Sequence, residues 1–235
     1  MTSDQQDSRR TSLLLSPVIA TAEAVEAILR EGRRIHWLLA AVSLIVAWYV
    51  YVPIHELLHA LGCVATGGSV TTLEIQTQYG GALLAEVFPF VQAGGEYAGQ
   101  LSDFDTHGSD LVYLATDALP FVLSILLGVP LLRACGLASR PLLLGPAIVL
   151  ALAPFYSLTG DYYEMGSILV TRAVGEAWYP LRSDDVFTVM RGLWSMPEAV
   201  FIATGSLLVA AGLAYATWDV GDRLARRLVK PPQAQ

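Results

Sequence analysis

The stretch His55-Glu56-Leu57-Leu58-His59 lies near the end of an apolar run that begins at Trp37. In a helix, residues four apart lie one turn apart on the same face, so His55 and His59 can bind one zinc ion between them. Glu56 lies beside the two histidines, where its carboxylate can accept a proton from an activated water molecule. Two histidines and a glutamate are costly to place in an apolar segment unless they have a function. The stretch therefore predicts a helix that carries a zinc site.

The composition is typical of a membrane protein. The chain has 235 residues, of which 54% are hydrophobic and 15% are charged, and its mean hydropathy is +0.51. Soluble domains carry about a quarter charged residues. The net charge of −7 provides no basic surface for nucleic acid, so we expect no partner of that class.

Four apolar segments are long enough to cross a bilayer, which takes about 20 helical residues. We therefore predict an α-helical integral membrane protein with about four transmembrane helices, and the first of them carries the histidines. The predicted spans are residues 37–62, 111–132, 141–159 and 199–218.

The segment after the first span indicates β structure. Residues 70–78 are rich in β-branched side chains with partial alternation, and Gly80-Gly81 can form a tight turn. Residues 82–90 can then return as a second strand. The sequence thus predicts a small β-hairpin between the first two spans.

The chain divides into three predicted regions. Residues 1–34 form a polar N-terminus, expected to be disordered through residue 12, and an amphipathic helix that either lies on the membrane surface or simply leads into the first span. Residues 35–218 form one membrane-embedded domain, and residues 219–235 form a basic cytoplasmic tail. The apolar face of the lead-in helix is predicted to contain Val18, Ala22, Val25, Ile28 and Leu29.

The distribution of positive charge predicts the orientation. Eleven of the 14 basic residues lie before the first span, between the second and third spans, or after the fourth. Since basic flanks stay in the cytoplasm, both termini are expected there, with residues 63–110 and 160–198 on the other side. The composition is rich in alanine and arginine and poor in lysine, which indicates a multi-pass protein of a bacterial cell (inner) membrane.

Helix rise indicates which carboxylate can reach the histidines. A catalytic zinc usually has a third protein ligand. Trp37 to His55 is 18 residues, or roughly 27 Å of helix, and Leu142 to Asp161 is 19 residues, or roughly 28 Å. Because both helices start from the cytoplasmic side, Asp161 is expected at the level of His55. Glu164, one turn further, is the alternative third ligand.

Three other carboxylates are weaker candidates. Asp117 lies about 9 Å into the second span, where Thr116 or Ser124 could instead satisfy it by hydrogen bonding. Glu74 and Glu86 lie in the predicted hairpin, where solvated strand charges are the simpler interpretation.

The residues His55 to Gly62, H-E-L-L-H-A-L-G, resemble the first motif of the site-2 protease family of intramembrane zinc metallopeptidases. A glycine-rich β segment and an acidic motif on a later span extend the resemblance. It implies that His55, His59 and Asp161 bind Zn²⁺ and that Glu56 is the general base.

The sequence departs from the family at the second motif. The family's Asn-Pro…Leu-Asp-Gly stretch is replaced by a segment starting at Gly160-Asp161. Aligning Glu164-Met165-Gly166 with Asp-Gly-Gly would instead make Glu164 the ligand. No PDZ-like insertion is visible.

We therefore expect a membrane-embedded zinc metalloendopeptidase whose partners are a membrane protein or peptide substrate and the lipid bilayer. An edge of the 70–90 hairpin could pair with an unwound substrate strand. Two alternatives belong to other classes. One is a zinc-binding membrane protein without peptidase activity, such as an assembly or metal-handling factor. The other is a structural membrane protein in which the histidine motif is fortuitous.

The charge distribution gives a testable topology. A reporter that is active only outside the cytoplasm should give a signal when fused at Gln100 and none when fused at the C-terminus, because 11 of the 14 basic residues flank the cytoplasmic ends of the spans. A cytoplasmic signal from Gln100 would invert the orientation.

Overall fold

The computed structural model describes residues 3–176, Trp178, Arg182 and residues 197–229. It is mainly helical, with one small sheet. The strands are β1 (Ser69–Ile75), β2 (Val91–Ala93) and β3 (Gly99–Asp105). The helices are α1 (Ser3–Arg30), α2 (Arg34–Ala65), α3 (Gly81–Val87), α4 (Asp110–Ala118), α5 (Val129–Leu137), α6 (Pro141–Tyr156), α7 (Asp161–Val174) and α8 (Pro197–Leu228).

Within the described part of the chain, four helical stretches are long and apolar enough to cross a membrane, which confirms that part of the predicted fold class. Each extends beyond its predicted span. In the first, second and fourth, helical hydrogen bonding continues into the flanks, whereas in the third α6 ends at Tyr156 and α7 follows after a turn. The second stretch joins α4 to α5 through a 3-10 turn and a π-helical segment, and the third joins α6 to α7 through a short turn. The stretches are Arg34–Ala65, Asp110–Leu137, Pro141–Val174 and Pro197–Leu228. The last continues into the predicted tail, which is helical through Leu228.

The N-terminal helix is longer than predicted. Disorder of residues 1–12 is wrong from Ser3 onward, where α1 begins; no glycine or proline precedes Pro17 to interrupt the helix. The buried stripe is Ala20, Ala24 and Ile28, spaced four residues apart, and α1 packs against α5. Val18, by contrast, is 66% exposed. The small alanines face the neighbouring helix, which the apolar pattern alone did not indicate.

The predicted β-hairpin is wrong in its second strand. Residues 81–87 form α3, because Ala82-Leu83-Leu84-Ala85-Glu86 consists of strong helix formers without β-branched side chains. This short helix connects β1 to β2, which pair in parallel, and parallel strands require such a crossover. β3 pairs antiparallel on the other side of β1, so the strand order is β2-β1-β3.

The chain forms two compact units, and the candidate site belongs entirely to one of them. The first unit comprises residues 1–48, 123–153 and 215–235. Within it, Arg133 of α5 donates to the Asp222 carboxylate of α8 at 2.7 Å and to the Ser16 hydroxyl of α1 at 3.0 Å. These bonds join three helices of that unit.

The second unit comprises residues 49–122 and 154–214. There, one face of the sheet packs on the last turns of α2, with Leu73 and Ile75 fully buried against Ala60. α4 packs against α7, and Tyr163 of α7 packs against the start of α8. The second half of α2, α4 and α7 therefore meet beside the sheet, and each contributes to the candidate site.

Candidate metal centre

The two histidines of α2 point their ring nitrogens at each other. His55 and His59 are buried, with 7% and 6% of their surface exposed, and their Nε2 atoms lie 3.0 Å apart. Neutral imidazole nitrogens are among the commonest metal ligands in proteins. The pair is thus oriented as the four-residue spacing predicted.

Asp161 completes a group of three donors. It begins α7 directly after the turn at residues 157–160, and its Oδ2 lies 3.2 Å from His55 Nε2. Its Oδ1 lies 3.7 Å from His59 Nε2. One donor atom from each residue lies within 4.8 Å of the others, so the three can hold one metal ion. Two nitrogens and a carboxylate oxygen are a donor set that suits zinc.

The proton arrangement on His59 fits metal binding. Its Nδ1 lies 2.9 Å from the Thr116 carbonyl oxygen, which can only accept a hydrogen bond. Nδ1 therefore carries the proton, and Nε2 presents its lone pair to the group. The carbonyl can serve this purpose because Pro120, four residues later, lacks the N–H that would normally bond to it in a helix.

Gly62 lets α2 and α4 approach closely enough for this bond. A Cβ atom at Gly62 would lie 2.6 Å from the Ala115 carbonyl oxygen, closer than such atoms can come. Gly62 is three residues after His59 and faces the same helix, α4. The glycine at the end of the H-E-x-x-H-x-x-G stretch thus acts through packing.

The second histidine is oriented from its own helix. The Tyr51 hydroxyl lies 2.6 Å from His55 Nδ1, one turn earlier in α2. When His55 Nε2 binds a metal ion, Nδ1 carries the proton and donates it to the Tyr51 oxygen. Tyr51 is itself held edge-on against Tyr156, with ring centroids 6.0 Å apart. Both histidines therefore have a partner that fixes the ring and leaves Nε2 directed at Asp161.

Glu56 lies in the wall of a cavity of about 260 Å³ that also contains His59 and Asp161. Strand β3 passes directly over its side chain at Gly99. A Cβ atom at Gly99 would overlap Glu56 Cγ and lie 2.8 Å from its Cδ. Only glycine at that position allows the strand to pack on the glutamate.

The remaining predicted carboxylates lie outside the three-residue group. The Glu164 Oε2 accepts a hydrogen bond of 3.0 Å from Tyr113, and both residues line the cavity. Asp117 also lines the cavity, but neither partner proposed for it is engaged: Thr116 donates to the Val112 carbonyl and Ser124 Oγ has no partner among the described residues. Glu74 lies on β1 beside Gly95, and Glu86 is exposed on α3.

Three contributors to the site did not emerge from the sequence. Tyr51 could have been found as an aromatic hydroxyl one turn before His55. The Thr116 carbonyl has a fainter signal, a proline four residues downstream that releases it. Gly99 has none, because its role depends on which strand passes over Glu56.

Comparison of this chain with protein-family models, curated proteins and solved structures finds no match. Its function is therefore inferred from the residues of the site.

The geometry predicts about one zinc per chain in the detergent-purified protein. Asp161→Ala and the double variant His55→Ala/His59→Ala should lose most of the metal, because each removes donors from the three-residue group. Glu164→Ala should retain it, since Tyr113 holds that carboxylate in the cavity wall. Elemental analysis at equal protein concentration measures the difference. If Glu164→Ala strips the metal and Asp161→Ala keeps it, the third ligand is Glu164.

Proposed function

We propose that the protein is a membrane-embedded zinc metalloendopeptidase that cleaves membrane-associated proteins. The observation that carries the proposal is the meeting of the buried His55 and His59 with the partly buried Asp161 in one group, with the Glu56 carboxylate in the wall of the adjoining cavity. A structural zinc site has four protein ligands, whereas a catalytic site has three and keeps the fourth position open for water or substrate.

His55, His59 and Asp161 would hold the zinc. When bound there, zinc supplies a Lewis acid for the scissile carbonyl and for the attacking water. Glu56 accepts the proton of that water on its carboxylate and returns it to the nitrogen of the leaving amine. Tyr51 and the Thr116 carbonyl keep the imidazoles oriented during this exchange, since each bonds to a ring nitrogen away from the metal.

The sheet supports the binding of an extended substrate. β3 is an outer strand, and residues 99–102 of it line the cavity next to Glu56. A substrate segment pairing with this strand would have its backbone exposed to the site, whereas a helical segment shields its peptide bonds with its own hydrogen bonds. The strand expected to pair with the substrate is therefore β3 and not an edge of the predicted 70–90 hairpin.

The surface of α2 supports a location within the bilayer. Leu38 and Ile45 are each 60% exposed and Val50 is 52% exposed, along a helix long enough to cross a membrane. A large apolar surface of this kind is suited to lipid. Together with the distribution of basic residues, it supports a multi-pass protein of a bacterial inner membrane with both termini in the cytoplasm.

The proposal is tested with Glu56→Gln, which keeps the size of the side chain and removes the base. Membrane proteins from cells expressing the wild type or the variant are compared for cleaved fragments, and zinc content is measured in both. Cleavage should fall by at least about 100-fold at unchanged zinc, because general-base catalysis contributes that much or more. Zinc binding without any fragment that depends on Glu56 would instead indicate a metal-binding protein without peptidase activity.

A second variant tests the position of Glu56 and not its chemistry. Gly99→Ala should lower the cleavage rate by about 10–100-fold, because the new methyl group displaces the Glu56 side chain, and small displacements of a catalytic group are costly. Zinc content should stay near that of the wild type, since the atoms nearest to the new methyl group all belong to Glu56. Gly212→Ala in α8, where a methyl group meets nothing within 4 Å, is the matched control. Equal rates for the two variants would show that β3 does not position Glu56.

A further inference from the structure

The cavity beside the metal group contains two acidic side chains that the proposed reaction does not use. They are Asp117 of α4 and Glu164 of α7, on the two helices that pack together in this unit. Glu56 and Asp161 line the same space, so four carboxyl groups share about 260 Å³. Among the described residues of its lining, none is a lysine or an arginine.

Of the two side chains, Asp117 has the less favourable environment. It is only 4% exposed, and its Oδ2 has no hydrogen-bond partner among the described residues. A buried carboxylate oxygen without a donor is strongly unfavourable in an apolar environment, so such groups are normally paired with a donor or a cation. Asp117 belongs to the lining of the cavity at the reaction site, which indicates that its partner arrives with the ligand.

The carboxylate of Glu164 is fixed in position in the wall of the same cavity. The Tyr113 hydroxyl donates to its Oε2 at 3.0 Å, which fixes the carboxylate in the wall of the cavity. Tyr113 lies one turn before Asp117 on α4, so one helix carries both the acid and the hydroxyl that positions the second acid.

The chemistry of the cavity favours an organic cation over a second metal ion. The described residues bring three close-set ligands together only at His55, His59 and Asp161, and neither Asp117 nor Glu164 belongs to that group. Carboxylates spread along a cavity wall suit a long, flexible ammonium or guanidinium side chain, which carries several donors and needs no fixed coordination geometry.

We propose that this cavity binds a lysine or arginine side chain of the substrate close to the scissile bond, and that Asp117 and Glu164 recognise its charge. This inference rests on the proposed peptidase function and adds a substrate class to it. The substrate would be a membrane segment with a basic residue near the cleaved bond. Outer strand β3, which lines the same cavity, would hold the adjoining backbone.

The test uses quenched-fluorescent peptides with one apolar segment and a central helix-weakening Asn-Gly pair. One residue near that pair is lysine, glutamine or glutamate, and its position is scanned along the segment. For the wild type in detergent, kcat/KM at the best position should be about tenfold higher for lysine than for glutamine, and lowest for glutamate. Asp117→Asn should bring the lysine-to-glutamine ratio of kcat/KM close to one, because the amide carries no charge for the ammonium group to pair with.

Binding is measured separately, so that the inference does not depend on cleavage. Fluorescence anisotropy of zinc-loaded Glu56→Gln should show the same preference for the lysine peptide, and adding Asp117→Asn should remove it. If that preference appears while the wild type cleaves no peptide, the cavity is a cation site and the peptidase function is wrong. If the wild type cleaves all three peptides alike and binding shows no preference, the peptidase function stands and the inference is overturned.

Control variants guard against a loss of folding. Glu164→Gln provides a second removal of charge from the same cavity and should also reduce the preference. Glu86→Gln makes the same chemical change on exposed α3, outside the cavity, and should leave the ratio at its wild-type value. If Asp117→Asn and Glu164→Gln both keep the wild-type lysine-to-glutamine ratio, as Glu86→Gln should, and the zinc content is unchanged, recognition by Asp117 and Glu164 is excluded.

Discussion

The hydrogen bond between His59 Nδ1 and the Thr116 carbonyl oxygen is the interaction on which the site depends. It fixes the ring of His59, settles which nitrogen carries the proton, and ties α2 to α4. Two sequence features far apart make it possible. Gly62 removes the side chain that would keep the helices apart, and Pro120 removes the N–H that would otherwise occupy the carbonyl. The Thr116 carbonyl oxygen, which lacks the usual hydrogen bond from residue 120, is thus free to accept one from α2.

The sheet has a comparable role on the other side of Glu56. Because α3 connects β1 to β2 as a parallel pair, the far edge of β1 is left for β3, whose first residue is Gly99. Register places Gly99 opposite Ile75, a fully buried residue that packs toward α2. The position of β3 over the glutamate therefore follows from the packing of β1 and not from any contact made by Gly99 itself. A hairpin formed by residues 70–90 would have placed a different strand there.

Much of this arrangement could be predicted from local rules. The four-residue spacing of His55 and His59 places them on one face. Helix rise pointed to Asp161, whose side chain lies 3.2 Å from that of His55, although α6 ends at Tyr156 and a turn replaces the unbroken helix that the calculation assumed. The Gly-Gly pair and the alternating pattern predicted a strand at residues 82–90, and this prediction is wrong. Leucine and alanine favour a helix there, and the parallel pairing of β1 with β2 requires a crossover of this kind. The lead-in helix showed its apolar residues but not which of them pack. What stayed hidden depends on backbone atoms and on close approaches between segments, such as the Thr116 carbonyl and Gly99.

The separation of the three donors along the chain has a further consequence. His55 and Asp161 are 106 residues apart, and Asp161 stands at the first residue of its helix, immediately after a turn. A metal ion joining them would act as a covalent cross-link does, by closing a long loop and restricting the unfolded chain. Its binding free energy would then contribute to folding of this unit as well as to chemistry. Loss of the ion would remove this cross-link and leave the start of α7 held by the packing of Tyr162 and Tyr163.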